Sequence, residues 1–374
     1  MAVINYITQV NFDFGAAATV TAECERLGIR RPLLVTDRGI VAAGIVDRVL
    51  PHLAHVAVRV FDGTPSNPTE AAVMQAAHAL REHGGDGLVA VGGGSSIDLA
   101  KAVAIVATHP GSLVDYATIH GGSSRIGAGV LPVIAMPTTA GTGSEVARGA
   151  IVVVADGRKL GFHSWHLVPR VAICDPDLTL DLPPRLTAAT GMDAIAHCIE
   201  TYLSKAVNPP ADAIAYDGLL RGVAHIERAV IDGHSREARW HMMSASMQGA
   251  MAFQKGLGAV HSLSHALGGL PVNPHHGTLN AVLLPEVVRF NEAEVPQKVA
   301  AVARAFGVEN GAQLAGAIRE LNRRIGLPPG LAAMDIAPES YGTVVEHALK
   351  DHCHATNPRL ASATDYLAIL HASS

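Results

Sequence analysis

Short apolar runs alternate with longer amphipathic segments through the first half of the chain. The runs PLLVTD (32–37), GLVAV (87–91) and GVLPVIAMP (129–137) predict buried strands, the first of them ending at Asp37. The segments between them have helical spacing. Strand, loop and helix units in series predict a doubly wound parallel α/β sheet, which binds ligands at the carboxyl ends of its strands.

One helix of this half has signals at both ends. The segment NPTEAAVMQAAHALREHGG predicts a helix with Asn67 as its N-cap, Pro68 at the first helical position and closing glycines at 84 and 85. A second helix is predicted directly after the glycine run, over SIDLAKAVAIVATH.

The pattern changes after DPDLTLDLPP (175–184). The remaining chain is rich in Ala, Leu, Met and His at helical spacing, with few β-branched runs. A chain of 374 residues is longer than one core usually serves. We therefore predict two domains, an α/β domain over residues 1–182 and an all-helical domain over 183–374.

Composition and charge exclude several classes of protein. The net charge is −5 without a basic block, so nothing points to a nucleic-acid partner. No run approaches the roughly 18 unbroken apolar residues of a membrane helix, and the first fifteen residues lack the pattern of a signal peptide. Four scattered cysteines without a CxxC pair indicate reduced thiols rather than a disulfide framework. We expect a cytoplasmic protein.

Two loops have the chemistry of a dinucleotide site. Gly92, Gly93 and Gly94 follow a predicted strand and precede a helix, where a pyrophosphate could approach the backbone and the helix N-terminus. The run is neither a G-x-G-x-x-G fingerprint nor a P-loop, and a plain tight turn is the alternative. The second loop, PTTAGTGSE, offers several hydroxyls beside its glycines.

Asp37, at a third strand end, could bind an adenosine ribose. A carboxylate there favours NAD over NADP, because it repels a 2′-phosphate. An N-cap or turn aspartate is the alternative at this position.

A set of carboxylate and imidazole side chains in the helical half predicts a metal site. Asp193 and His197 are four residues apart, and His261 and His265 repeat that spacing, which places each pair on one helix face. A His-His-Gly run (275–277) follows a proline. One carboxylate and three imidazoles suit Fe²⁺, Zn²⁺, Mn²⁺ or Co²⁺. The chain has 20 histidines, so some pairs at this spacing arise by chance.

Other histidines are not expected to bind metal. His163 and His166 have no carboxylate partner at ligand spacing. The run His352, Cys353 and His354 resembles a soft-metal triplet, but alternate residues of a helix diverge, so we predict no site there.

These segments, taken in order, resemble the iron-containing, or group III, alcohol dehydrogenases. The resemblance is carried by GGGSSIDLAK, PTTAGTGSE, AICDPDLT, GMDAIAHCIE, VHSLSHALGG, HHGTLNAVLLP and DHCHATNPR. It implies an N-terminal dinucleotide-binding α/β domain and a C-terminal all-helical metal-binding domain, with the site in the cleft between them.

The resemblance also implies roles for single residues. The metal ligands would be Asp193, His197, His261 and a histidine before glycine, for which alignment on His-Gly favours His276 over His275. His265 matches a histidine near the reacting carbon. The positions that match cofactor contacts are Gly92, Gly93, Gly94, Ser95, Asp98, Thr138, Thr139, Thr142 and Lys159.

The predicted function is reversible hydride transfer between a primary alcohol and its aldehyde. NAD and Fe²⁺, or Zn²⁺, are the expected cofactors, and the metal would bind the alcohol oxygen and lower its pKa. A homodimer or larger homo-oligomer acting on a small alcohol or aldehyde is expected. The alternatives are an enzyme resembling maleylacetate reductase, one resembling a sugar-phosphate cyclase, and a non-catalytic sensor of metal or NAD(H).

Overall fold

The structure is a computed structural model that describes residues 8–374. Residues 1–7 lie outside the described residues. They include the start of the predicted domain 1–182 and part of the stretch in which we expect no signal peptide. The described chain forms two compact units. The α/β unit comprises residues 8–139 and 143–181, and the helical unit comprises residues 140–142 and 182–374.

The α/β unit is built on a six-stranded parallel sheet with the order β1-β8-β5-β4-β2-β3. Its strands are β1 (Gln9–Phe12), β2 (Pro32–Val35), β3 (Arg59–Phe61), β4 (Gly87–Gly92), β5 (Val133–Pro137) and β8 (Val171–Cys174). A separate antiparallel pair is formed by β6 (Gly149–Val153) and β7 (Lys159–His163). The helices of this unit are α1 (Val20–Leu27), α2 (Arg38–Ala42), α3 (Ile45–Val49), α4 (Glu70–His83) and α5 (Gly94–Thr108).

The sheet is covered on both faces, which explains its continuous apolar strands. Every residue of β2, β4, β5 and β8 is buried, and separate apolar cores lie on the two faces. From β2 the chain moves outward to β3, then returns to the other side of β2 and continues through β4, β5 and β8. The strand order therefore reverses between β2 and β4, and the carboxyl ends of these strands flank the point where doubly wound sheets bind ligands.

Two predicted strand limits were wrong. Strand β2 ends at Val35, two residues before Asp37. Strand β5 begins at Val133 rather than at 129, because the preceding residues form a turn in which the Val130 N–H donates to the Gly127 carbonyl. Strand β4 follows the prediction and adds only Gly92.

The predicted start of α4 was also wrong. The helix begins at Glu70, and its N-cap is Thr69, whose hydroxyl accepts from the Ala72 N–H. The two residues predicted to open the helix bind the β6-β7 pair instead. The Pro68 carbonyl accepts from the Val153 N–H at 2.8 Å, and Asn67 Oδ1 accepts from a lysine of β7. The predicted C-terminus is confirmed, with Gly84 as the C-cap at φ 62°.

The helical unit contains helices and no strand among its described residues, which confirms the predicted class of the second half. Its helices are α6 (Pro184–Leu203), α7 (Pro209–Ile231), α8 (Arg236–Ala252), α9 (Ala259–Leu267), α10 (His276–Glu292), α11 (Pro296–Ala305), α12 (Gly311–Arg324), α13 (Tyr341–Ala348) and α14 (Ala363–Ala372). Helix α6 is central, because α7, α8 and α10 all pack against it. Its Ala-rich, almost entirely buried surface allows these helices to come close.

Two exclusions drawn from composition can be compared with the structure. Among residues 8–374, no helix combines the length and the apolar character needed to cross a membrane. All four cysteines are buried and free, in agreement with the absence of a disulfide framework.

Candidate active site

Helix α6 contributes the first two predicted metal ligands. Asp193 and His197 lie one turn apart on its buried face, with side chains no more than 5% exposed. His197 Nε2 lies 3.8 Å from Asp193 Oδ1. The spacing of four residues therefore brings a carboxylate and an imidazole to one point inside the helical unit.

Two further helices bring imidazoles to the same carboxylate oxygen. His261 Nε2, from α9, lies 3.8 Å from Asp193 Oδ1, and His276 Nε2, from the start of α10, lies 3.7 Å from it. His275 has a different position, because it is the N-cap of α10 and its Nδ1 accepts from the Thr278 N–H. Three imidazole nitrogens thus surround one carboxylate oxygen, and His276 rather than His275 is among them.

The position of His276 depends on the glycine that follows it. A Cβ atom on Gly277 would lie 2.2 Å from the Ala189 carbonyl oxygen and 3.2 Å from the Asp193 Cβ. No side chain fits that space, so α10 and α6 are in direct backbone contact at this point. The contact holds the first residue of α10 beside Asp193.

The nitrogen and oxygen atoms around Asp193 suit a divalent cation better than they suit the hydrogen bonds available to them. Asn280 Nδ2 lies 2.7 Å from Asp193 Oδ1, 3.2 Å from His261 Nε2 and 3.1 Å from His276 Nε2. An amide group offers two hydrogens to these three acceptors, and Asn280 Oδ1 is buried with no hydrogen-bond partner among the described residues. A group of buried acceptors with too few hydrogen-bond donors is typical of a cation site.

Burial sets the charge state of the group. Desolvation lowers the pKa of His197 and, more strongly, that of His261, so both imidazoles are neutral at neutral pH. Burial opposes the ionisation of Asp193, but His197, His276 and the Asn280 amide outweigh it and lower the pKa of this carboxyl. Neutral imidazoles and a carboxylate are the protonation states that bind metal.

Glu200, which the sequence interpretation missed, orients His261. Its Oε2 lies 2.5 Å from His261 Nδ1, and its Oε1 accepts from the Val260 N–H at 2.7 Å. Burial raises the pKa of Glu200 to about 8, against these backbone hydrogen bonds. When Glu200 is ionised, it accepts from the His261 Nδ1–H, and this leaves the Nε2 lone pair free for a metal. Glu200 is three residues after His197 on α6, a spacing that also places two side chains on one helix face and could have found it.

His265 lies beside this group and has its own carboxylate partner. Its Nδ1 lies 2.9 Å from Asp351 Oδ2, and its ring stacks on that of His276 with centroids 5.5 Å apart. The side chain is 24% exposed, so the imidazole reaches solvent. Asp351, in the chain segment after α13, could not have been assigned to His265 from spacing.

The glycine loop is built for close approach to its backbone. Gly92 ends β4 with φ 156°, and a Cβ atom there would lie 2.5 Å from Ser96 Oγ. Gly93 is the N-cap of α5, and a Cβ atom on it would meet only Thr139, at 3.5 Å. The first turn of α5 has free N–H groups directly after the loop, which suits an anion.

The second loop and Asp37 lie next to this glycine run. The Thr138 N–H donates to the Gly92 carbonyl at 3.0 Å, which joins the ends of β5 and β4. Asp37 Oδ2 is 3.7 Å from the position a Gly92 Cβ would take. The other oxygen of Asp37 caps α2 by accepting from the Ile40 N–H. Asp37 is therefore an N-cap at the end of β2, close to the glycine loop.

Three other predicted cofactor residues form hydrogen bonds to residues of the α/β unit. Asp98 accepts from Ser144 Oγ and from the Ile151 N–H, so both of its oxygens are engaged. Lys159 Nζ donates to Asn67 Oδ1, and Ser95 Oγ donates to the Ser66 carbonyl. For Asp98 these contacts favour a role in holding the loops over a direct contact to phosphate.

Lys101, which the sequence interpretation did not single out, holds the same loops. It is fully buried, and its Nζ lies within hydrogen-bond distance of the Ser144, Ala147 and Gly149 carbonyls. Thr142 belongs to the helical unit, together with Gly141, which packs against Thr190. The loop PTTAGTGSE is thus shared between the two units.

Comparison with known proteins identifies the family. Residues 8–176 match the family described as iron-containing alcohol dehydrogenase, and residues 187–374 match its C-terminal family. The chain belongs to the iron-containing alcohol dehydrogenases. It is therefore an oxidoreductase that acts on CH–OH groups, as predicted, and family membership implies NAD(H) and a metal.

Individual members of the family are similar over the whole chain. The 4-hydroxybutyrate dehydrogenase of Cupriavidus necator is 61% identical, covering 100% of each chain. The crystal structure of a 1,3-propanediol oxidoreductase superposes with a TM-score of 0.95 at 36% identity, covering 100% of each chain. A sulfoacetaldehyde reductase from Bifidobacterium kashiwanohense, solved in complex with NAD⁺, has a TM-score of 0.90 at 29% identity, covering 100% of this chain and 99% of that one.

Proposed function

We propose that this iron-containing alcohol dehydrogenase interconverts 4-hydroxybutyrate and its aldehyde, using NAD and Fe²⁺. The metal chemistry is supported by three imidazole nitrogens within 3.8 Å of the Asp193 carboxylate oxygen. The substrate is supported by the 61% identity to a 4-hydroxybutyrate dehydrogenase over the full chain.

The proposed metal ligands are Asp193, His197, His261 and His276. A divalent metal held by them would supply Lewis acidity to the substrate oxygen and lower the pKa of its hydroxyl. Four protein ligands complete a tetrahedral Zn²⁺ site, whereas Fe²⁺ takes a fifth or sixth ligand. We therefore expect Fe²⁺ to support activity, and Zn²⁺ to compete for the same residues.

His265 is the proposed proton acceptor. Its hydrogen bond to Asp351 places the N–H at Nδ1, which leaves the Nε2 lone pair available. Asp351 also stabilises the imidazolium that forms, and the exposed part of the ring passes the proton to water. These two side chains thus accept the proton, hold it and release it.

The α/β unit is the proposed NAD site. Gly92, Gly93 and Gly94 would admit the pyrophosphate, and Asp37 would accept hydrogen bonds from the adenosine ribose. Bound NAD supplies the hydride acceptor. The remaining proposed cofactor residues are Ser95, Thr138, Thr139, Thr142 and Lys159, with Asp98 supporting the loops that hold them.

The same proposal covers organisation and location. Residues 1–182 would be the dinucleotide-binding domain and 183–374 the metal-binding domain. A cytoplasmic enzyme is supported by four buried, unpaired thiols. The expected homodimer or larger homo-oligomer can be measured by light scattering after size-exclusion chromatography.

A substrate panel tests the proposal. The iron-loaded enzyme should oxidise 4-hydroxybutyrate with a kcat/KM about tenfold or more above that for 1,3-propanediol, because the carboxylate adds a polar contact. Butan-1-ol, which lacks the carboxylate, is the matched control. A kcat/KM for 1,3-propanediol equal to or above that for 4-hydroxybutyrate would reject the substrate while leaving the reaction class intact.

A further inference from the structure

A second group of metal-ligating side chains lies beside the proposed metal centre. His265, Asp351, His352 and Cys353 each offer one donor atom, and these atoms all lie within 4.8 Å of one another. None of the four belongs to the proposed metal ligand set.

The backbone after α13 makes this group possible. We predicted no site at His352, Cys353 and His354, on the ground that residues of a helix diverge. Residues 351–353 instead form a bend and a turn, so neighbouring side chains can face one point. His354 is not in the group, because its Nδ1 lies 2.9 Å from the Tyr366 hydroxyl. The assumption that His352 and Cys353 lie on a helix was therefore wrong, whereas the absence of a metal site there stays a prediction.

The distances within the group suit a small tetrahedral ion. His352 Nε2 lies 3.4 Å from Cys353 Sγ, and His265 Nδ1 lies 2.9 Å from Asp351 Oδ2. Ligands at Zn²⁺ bond lengths of about 2.0–2.3 Å stand about 3.3–3.8 Å apart at the corners of a tetrahedron. The donor atoms, all within 4.8 Å of one another, would have to shift by up to about 1 Å to surround one ion.

The charge and the sulfur donor of the group favour a thiophilic ion. Burial opposes the ionisation of Asp351, but the charge and hydrogen bond of His265 outweigh it and hold the pKa of Asp351 well below its usual range. Cys353 is 1% exposed, and burial raises the pKa of its thiol, so a metal would have to displace the thiol proton to water. One thiolate, one carboxylate and two imidazoles would neutralise a divalent ion, and the sulfur selects Zn²⁺ over Mg²⁺ or Ca²⁺.

We propose that His265, Asp351, His352 and Cys353 form a second divalent-metal site for a thiophilic ion such as Zn²⁺. An ion in this site takes His265 away from proton transfer and so inhibits the enzyme. The inhibition rests on the proposed function of His265, whereas the site itself does not.

Cobalt is the probe for this site, because the proposed catalytic centre contains only oxygen and nitrogen donors. Titration of the iron-loaded enzyme with Co²⁺ should produce a thiolate-to-cobalt charge-transfer band in the near ultraviolet. Cys353→Ser should lose the band. Cys24→Ser, which removes a buried thiol of α1, is the matched control and should keep it. Absence of the band in the unmodified enzyme, or its survival in Cys353→Ser, would overturn the site.

Two further variants separate this site from the catalytic centre. Asp193→Asn should lose iron and activity but keep the cobalt band, which locates the band outside the catalytic centre. His352→Ala, at a side chain 60% exposed, should need roughly tenfold more Co²⁺ for the band and more Zn²⁺ for inhibition. This variant also decides the question if Cys353→Ser does not fold. Equal cobalt titrations for His352→Ala and the unmodified enzyme would contradict the proposal.

Discussion

The glycine loop of the α/β unit and the proposed metal centre of the helical unit are built on opposite principles. The proposed cofactor loop around Gly93 depends on missing side chains, which leave its backbone open. The proposed metal centre around Asp193 instead depends on polar side chains that three helices bring together. The first is one continuous segment, and the second exists only after the helices have packed. Substitutions should therefore affect cofactor binding and metal binding separately.

The largest expected effect is loss of the fourth metal ligand. His276→Ala should lower kcat/KM by about 10³-fold and reduce the bound metal, because it removes an imidazole beside Asp193. His275→Ala is the matched control, and since His275 caps α10 it should lose stability but keep its metal. Metal content per chain and turnover measure both. If His275→Ala lost its metal and His276→Ala kept it, the fourth ligand would be His275, and our assignment of His276 would be wrong.

The proton acceptor should come next in magnitude. His265→Asn should lower kcat by about 10²-fold and flatten the pH dependence of kcat, while iron content stays the same. Asparagine keeps a hydrogen-bond donor for Asp351, so packing changes little. An unchanged pH profile together with a lower kcat would indicate a structural role only.

Metal affinity should depend on Glu200. Glu200→Ala should weaken metal binding by about 10–100-fold, because His261 loses the partner that fixes its Nδ1 proton. Glu200→Gln keeps an oxygen acceptor and should recover part of that affinity. Competition with a chelator gives the dissociation constants, and equal affinity in all three proteins would contradict the role.

A side chain on the glycine loop should affect only the cofactor. Gly93→Val should raise the dissociation constant for NADH roughly 10- to 30-fold by blocking approach to the backbone. The fold should tolerate the change, since a Cβ atom at Gly93 meets only Thr139, at 3.5 Å. Fluorescence titration with NADH measures the effect, and the metal content is the internal control. Normal NADH binding would show that the loop is a structural turn.

The smallest effect is expected at Asp37. Asp37→Asn should improve the kcat/KM ratio of NADP to NAD by roughly 5- to 10-fold, because the repulsion of a 2′-phosphate disappears. Asparagine also serves as the N-cap of α2, so this variant removes the charge without destabilising the helix. A ratio unchanged from that of the unmodified enzyme would remove Asp37 from cofactor selection.

The sequence predicted what depends on local pattern and missed what depends on packing. Strand β4 and the C-terminus of α4 were predicted because apolar runs and a terminal glycine are local signals. The N-terminus of α4 was misplaced because Asn67 and Pro68 bind a hairpin far along the chain, which no local pattern shows. Long-range contacts decided the capping residue.

The candidate site also contains residues that a local pattern predicted and residues that only packing brings together. The i,i+4 pair of Asp193 and His197 was readable because both residues lie on one helix. Asn280 has that spacing from His276, but an asparagine gives no metal signal of its own. Asp351 meets His265 only through a turn after α13, and the same turn invalidated the helical argument about Cys353.

The backbone contact at Gly277 has a consequence for reading sequences of this kind. At Gly277, α10 comes so close to α6 that no side chain fits, and the imidazole that reaches Asp193 comes from the residue immediately before this point. We therefore expect His-Gly to act as one unit, in which the glycine allows the preceding imidazole to lie beside Asp193. Where two histidines are adjacent and a glycine follows, we expect the second histidine to be the metal ligand.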